Sequence, residues 1–234
     1  IKNNLEICDN SELTSLPDGL HVGGNVKLIG CNNLTMLPKE LKINGDLDVR
    51  HCKNLTTFSD GLIVVGGIWL LNLLSLEKFP KKLNVGGDFT INACRRLKTL
   101  PEALTVNGDF YLEGCAQLEK LPNQLKVLKS LVVQENERLI SLSYELRVDG
   151  DLYVYNCKRL ALFPDSLKIT RSLQLIGCDK LFSLPNNLVV FGKLEISRCA
   201  SLWSLPQELS VLGDLKLSSC TNLKKVPKIL KVDG

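Results

Sequence analysis

The stretch FTINACRRLKTLPEALTVNGD at residues 89–109 is followed without a break by FYLEGCAQLEKLPNQLKVLKS at residues 110–130. Laid one over the other, the two share an apolar pair at the start, a cysteine five residues in, an L-P step and a late L-x-V. Extending the alignment outward from Leu5 gives eleven copies at a period of 21 residues, with no insertion or deletion, of the form L-x-L-x-x-C-x-x-L-x-x-L-P-x-x-L-x-V-x-G-D. A fixed period of this length is the signature of a solenoid, in which each repeat is one coil that can bury its apolar residues only against its neighbours.

Numbering the first strand residue of each copy as slot 0, the apolar positions are slots 0, 2, 5, 8, 11, 15 and 17. Slots 8 and 15 are leucine in every copy, from Leu13 to Leu223 and from Leu20 to Leu230. Slot 5 is Cys31, Cys52, Cys94, Cys115, Cys157, Cys178, Cys199 and Cys220, with Asn10, Asn136 and Leu73 in the other three copies. All nine prolines fall in slot 12, where Ser59 and Ser143 replace them twice, and slot 19 is glycine in all but two copies.

Alternation of apolar and variable residues over slots 0 to 3 predicts a short strand with one buried face. Slots 15 to 17 alternate in the same way and predict a second extended segment. Glycine at slot 19, often followed by Asp, is a turn that returns the chain to the next strand, its acidic side chain satisfying backbone N–H groups. Proline at slot 12 fixes one backbone angle and removes a donor, and too few residues follow it for a helix of ~10–14 residues, leaving room for at most a short 3₁₀ turn. The fold expected is a mainly β solenoid over residues 1–234, a single unit whose eleven short strands stack into a parallel sheet about 50 Å long, with little or no helix. Neither end shows a polar cap, so caps or further domains are expected outside these residues.

Composition narrows the function. No apolar run approaches the ~20 residues needed to cross a membrane, and a net charge of +4 without a concentrated basic stripe argues against nucleic acid. Slot 16 does hold His21, Lys42, Lys126, Arg147, Lys168 and Lys231, read here as a solvated face. The eight ladder cysteines face one way in a buried turn and act as small core residues with a weak S–H donor, which implies a reducing, cytoplasmic setting. Cys8, in slot 3, is the ninth and is expected to be exposed. No paired C-x₂-C ligands, no phosphate loop and no Cys–His pair arise, since His51 and Cys52 are neighbours that point apart. No cofactor, no metal and no catalytic residue is expected.

Outward slots 1 and 3 are the ones the repeat does not dictate. They carry Trp69, Leu71, Tyr111, Val132, Tyr153, Tyr155 and Ile176 in copies four to nine, whereas the outer copies are more polar there, with Glu6, Lys27, Asp48, Arg50, Glu195, Lys216 and Ser218, Ile29 being an exception. Aromatic residues rimmed by charge read as a protein-binding surface. Lys129 and Arg171 replace the slot-19 glycine in the same central region and are counted with it.

The segment L-x-L-x-x-C-x-x-L, with Asn or Cys in the turn after the strand, resembles the leucine-rich repeat family in its cysteine form, over essentially the whole chain. The L-P-x-x-L step is similar to short bacterial repeats of secreted effectors. The resemblance implies a right-handed coil that binds a protein through its exposed strand face. The function expected is a protein–protein interaction scaffold; the alternative is the substrate-recognition segment of a bacterial effector enzyme of ubiquitin-ligase type, working in a host cytosol, with its catalytic domain elsewhere.

Overall fold

Slots 0 to 3 form a four-residue strand in every coil, from Leu5–Cys8 to Leu215–Ser218. In this computed structural model, which describes residues 1–234 and every side chain except those of Lys168 and Ile229, these strands hydrogen-bond in chain order as one eleven-stranded parallel sheet. The register is fixed by the period: Leu131 lies beside Leu152, Val132 beside Tyr153, Val133 beside Val154 and Gln134 beside Tyr155. A slip of one residue would turn each leucine of slots 0 and 2 to solvent, so burial locks the register.

The second extended segment is also a full sheet. Its strands run from His21–Val22 to Ile229–Val232 and pair in chain order into another eleven-stranded parallel sheet. Strands of this sheet are two residues long where a turn precedes them, as at Lys42–Ile43, and four where the chain stays extended after the proline, as at Lys82–Val85. The room left for a short 3₁₀ turn is not used: among the described residues no helical segment follows any proline. Each coil is therefore two strands joined by a proline loop on one side and a glycine turn on the other.

Between the sheets runs one unbroken apolar column, from Val22 to Val211. Phenylalanines thicken it beneath the middle of the first sheet: Phe58 and Phe79 meet edge to face at 5.1 Å, and Phe89 and Phe110 stack at 5.0 Å. Where serine replaces proline it gains a partner in the preceding coil, Ser59 on the Leu37 carbonyl and Ser143 on the Asn123 carbonyl at 2.8 Å. Cys220 is only half-buried, unlike the other ladder cysteines, because the eleventh coil is covered on one side only.

The cysteines terminate the first strand. Cys52 Sγ reaches the Arg50 carbonyl of its own coil at 3.5 Å and the Leu28 carbonyl of the coil before at 3.6 Å; Cys199 does the same with Ser197 and Leu175. Asn136 donates from Nδ2 to the equivalent carbonyls of Gln134 and Leu112 at 3.0 and 2.9 Å. The residue just before this slot is left-handed in every coil, even where it is Ala93 (φ 55°), Glu135 (54°) or Arg198 (53°). Left-handed geometry is costly for such residues, and the two flanking ladders impose it on all eleven.

Candidate functional site

The outer face of the first sheet is built by slots 1 and 3, which stand in straight columns because the strands are in register. Trp69, Tyr111, Val132 and Tyr153 share the slot-1 column, while Leu71, Tyr155 and Ile176 share slot 3. The structure brings all seven onto one surface. Tyr111 is the most open, at 43 % exposure, while the other six are half-buried by their neighbours in the columns. Tyr153 and Tyr155 lie nearly parallel, ring centres 6.0 Å apart, and the Tyr155 hydroxyl donates to Gln174 Oε1 at 2.8 Å. These bonds hold the rings in place and lower the entropy lost when a partner orders them.

Toward both ends the same face changes character. Lys27 pairs with Glu6 at 2.6 Å, Arg50 with Asp48 at 2.6 Å, and Glu195 is held between Lys193 and Lys216 at 2.7 Å each. The pair with Lys27 holds the Glu6 carboxyl below the usual range, and Lys193 and Lys216 do the same for Glu195. Each of these rim charges thus has an opposite charge beside it, with Glu195 shared by two lysines, whereas the centre is apolar and aromatic.

A row of acidic turn residues borders the face. Asp46, Asp88, Asp109 and Asp151 each accept, through Oδ1, the backbone N–H one coil on, at 2.8–2.9 Å. This is the role read from the sequence for slot 20, and with the Ser130 hydroxyl accepting the Asp151 N–H at 3.3 Å it makes a ladder interrupted at Gly67. Where the ladder lacks a side chain, at Gly67, the Trp69 ring occupies the space a Cβ would need. Burial pushes the Tyr153 hydroxyl up to about 12, reinforced by Asp151 beside it; burial, then Asp109 and Asp88, raise Tyr111 as well. The phenols therefore stay neutral donors under a negative field.

Lys129 and Arg171 are exposed on the turn rather than on the strands, so they flank the seven without joining them. Turn glycines in slot 19 sit directly on the preceding coil: a Cβ at Gly150 would lie 2.6 Å from the Lys129 carbonyl carbon. Their N–H groups form a ladder, Gly45 on Gly24 through to Gly108 on Gly87, that resumes with Gly192 on Arg171. No backbone hydrogen bond joins Lys129 to Gly108, Gly150 to Lys129 or Arg171 to Gly150 among the described residues. The two substitutions thus open the turn ladder behind the tyrosine-bearing coils.

Other outward slots also carry apolar residues that the reading of slots 1 and 3 did not weigh. Phe191 (57 % exposed) and Val189 project from the second sheet, and Phe182 (58 %) and Leu162 (60 %) from the proline-loop side. Period alone could have found Val189, Phe182 and Leu162, whose slots are polar in most copies; the slot of Phe191 also takes Val65, Leu128 and Leu212. An open groove of about 750 Å³ crosses the proline loops of coils four to six, lined by Lys78, Lys81, Lys82 and Lys120 around Pro101. Of the basic slot-16 column, the Lys168 side chain lies outside the described residues, and Arg147 pairs with Asp149 at 2.9 Å.

Cys8 is exposed and donates to Glu6 Oε1 at 3.6 Å; local desolvation by its neighbours and that carboxylate raise its thiol. Burial lifts several ladder thiols further, Cys52 and Cys157 to about 11 and Cys94 to about 12, while the Cys178 thiol beside it lowers Cys199. A thiolate nucleophile needs the opposite shift to that of Cys8, Cys52, Cys94 and Cys157. Comparison with known proteins returns no matching family model and no matching curated relative.

Proposed function

We propose that the chain is a protein-interaction scaffold that presents the outer face of its first sheet, over coils four to nine, to a protein partner. The observation that carries this reading is the contrast along one face: apolar and aromatic residues, in part open to solvent, gather at the centre, and ion-paired charges stand at both ends. Interface centres are depleted in charge and enriched in Tyr and Trp, with a polar rim. Such a scaffold binds and performs no reaction itself. Its cysteine ladder keeps its S–H donors only when reduced, which favours a cytoplasmic setting. The cysteine-or-asparagine turn that serves two carbonyls supports the likeness to leucine-rich repeats on which the choice of face also rests.

The test is affinity capture from a cell extract with three proteins. Tyr153→Ala with Tyr155→Ala is expected to lose the partner retained by the wild type. Glu6→Ala with Lys216→Ala, in equivalent slots of the end coils, is expected to retain it. Loss with the charged pair and retention with the tyrosine pair removed would place the site elsewhere.

A further inference from the structure

Along the slot-1 column, large and small residues alternate from Trp69 through Thr90, Tyr111 and Val132 to Tyr153. The rings therefore recur at every second coil, about 9.4–9.8 Å apart by the spacing of parallel strands. Thr90 and Val132 leave a notch between each pair of rings. A ligand that fits must present one group per notch at this repeat.

The common peptide conformations differ enough for the spacing to decide. An extended strand presents one face every ~6.6–6.8 Å, out of phase with the rings. A helix presents residues i and i+7 about 10.5 Å apart, drifting by ~1.4–2.2 Å over the two intervals of the row. A polyproline II helix turns once every three residues of ~3.1 Å, about 9.3 Å, and drifts by ~1 Å or less over the same distance. Aromatic-lined grooves are the surfaces that take such helices, whose stiffness also reduces the entropy lost on binding.

Charge specifies the ligand further. Among slots 20, 1 and 3 of the strands bearing the three rings and of those between them stand Asp88, Asp109, Asp151 and Glu113, with no Lys or Arg. Lys129 and Arg171 lie one residue outside, on the turn. A ligand running beside this row is favoured if it is cationic.

We propose that the strand face binds a proline-rich, cationic peptide in the polyproline II conformation, laid along the solenoid axis over Trp69, Tyr111 and Tyr153, with one residue per turn seated over Thr90 and over Val132. This deepens, and rests on, the reading of the face as a protein-binding surface. The contact spans about 19 Å, four strand spacings, which six residues of such a helix cover.

Fluorescence anisotropy with a labelled Pro-Pro-Arg repeat of about twelve residues, ~37 Å long, tests it. Saturable binding is expected, weakened about thirtyfold by Tyr111→Ala as for a hot-spot aromatic. Tyr144→Ala, on an exposed tyrosine away from the face, should leave it unchanged. Thr90→Trp, which fills a notch, should weaken binding at least tenfold; should it lose the strand signal in circular dichroism, Tyr111→Ala decides alone. A Gly-Gly-Arg repeat of equal charge should bind at least tenfold more weakly. Equal binding of the two peptides, or equal effects of Tyr111→Ala and Tyr144→Ala, would overturn the proposal. If the peptide fails to bind while the tyrosine pair still controls capture of a protein partner, this inference falls and the scaffold reading stands. If neither responds to the face, both fall.

Discussion

Replacing Asn136 by alanine removes the one carboxamide in the middle of the cysteine ladder. Asn136 is fully buried, donates to the Leu112 and Gln134 carbonyls at 2.9 and 3.0 Å, and accepts the Cys115 N–H on Oδ1 at 3.0 Å. At ~1 kcal/mol net per hydrogen bond, the three together give about 3 kcal/mol, and a buried N–H left without an acceptor raises the cost rather than lowering it. Asn136→Cys is the informative companion. In the next coil Cys157 reaches the two equivalent carbonyls, Val133 and Tyr155, at 3.7 and 3.6 Å, and the N–H of the preceding coil faces the sulfur in this slot, as Cys94 faces Cys115. The cysteine variant should therefore lose under ~1 kcal/mol, the difference between a carboxamide and a weaker thiol in the same roles. Equilibrium urea unfolding followed by circular dichroism measures both. Equal destabilisation by the two substitutions, or a loss below ~1 kcal/mol for alanine, would refute the view that slot 5 works as a two-carbonyl clamp.

Leu118, fully buried in coil six, should cost ~2–5 kcal/mol as alanine, while Leu13, only partly buried in the first coil, should cost far less because a solenoid frays from its ends; equal losses in urea unfolding would argue against one stacked column. Native protein should react slowly with a thiol reagent, Cys8 first, and all nine thiols should react after denaturation; disulfides in a non-reducing mass measurement would contradict the reduced ladder. Because burial raises Cys52, Cys94 and Cys157, the folded state holds protons there that the unfolded chain has lost above about pH 9. Stability should thus be flat below that pH and fall as pH rises toward the folded values of about 11 for Cys52 and Cys157. A urea midpoint that rises over that interval would reverse the assignment.

Much of this architecture is legible in the sequence because a strict period removes the usual ambiguity of short apolar runs. Strand, register and inward slots follow from the alternation at slots 0 to 3 and 15 to 17 together with a turn glycine. The second sheet is harder to read, since Lys42–Ile43 gives only two residues of strand and its pairing exists only once the coils stack. Ala93 and Arg198 give no local hint of left-handed geometry; Gly30, Gly114 and Asn156 in the same slot are the signal that could have found it. For the site, period two identifies which residues face outward. It does not reveal that Trp69 leans into the space over Gly67, or that the turn ladder is broken at Lys129, because both depend on contacts between coils.

The central claim, that a partner covers the middle of the strand face, is tested most directly at Trp69. The chain has two tryptophans, and Trp203 lies on the proline-loop side beneath the Lys224 ammonium at 4.6 Å. In a Trp203→Phe protein, emission reports Trp69 alone, and iodide quenching measures its access to water. Addition of a saturating partner, whether the captured protein or the Pro-Pro-Arg peptide, should lower the quenching constant and move the emission to shorter wavelength. A bound partner that leaves Trp69 as open to iodide as in the free protein would contradict the account.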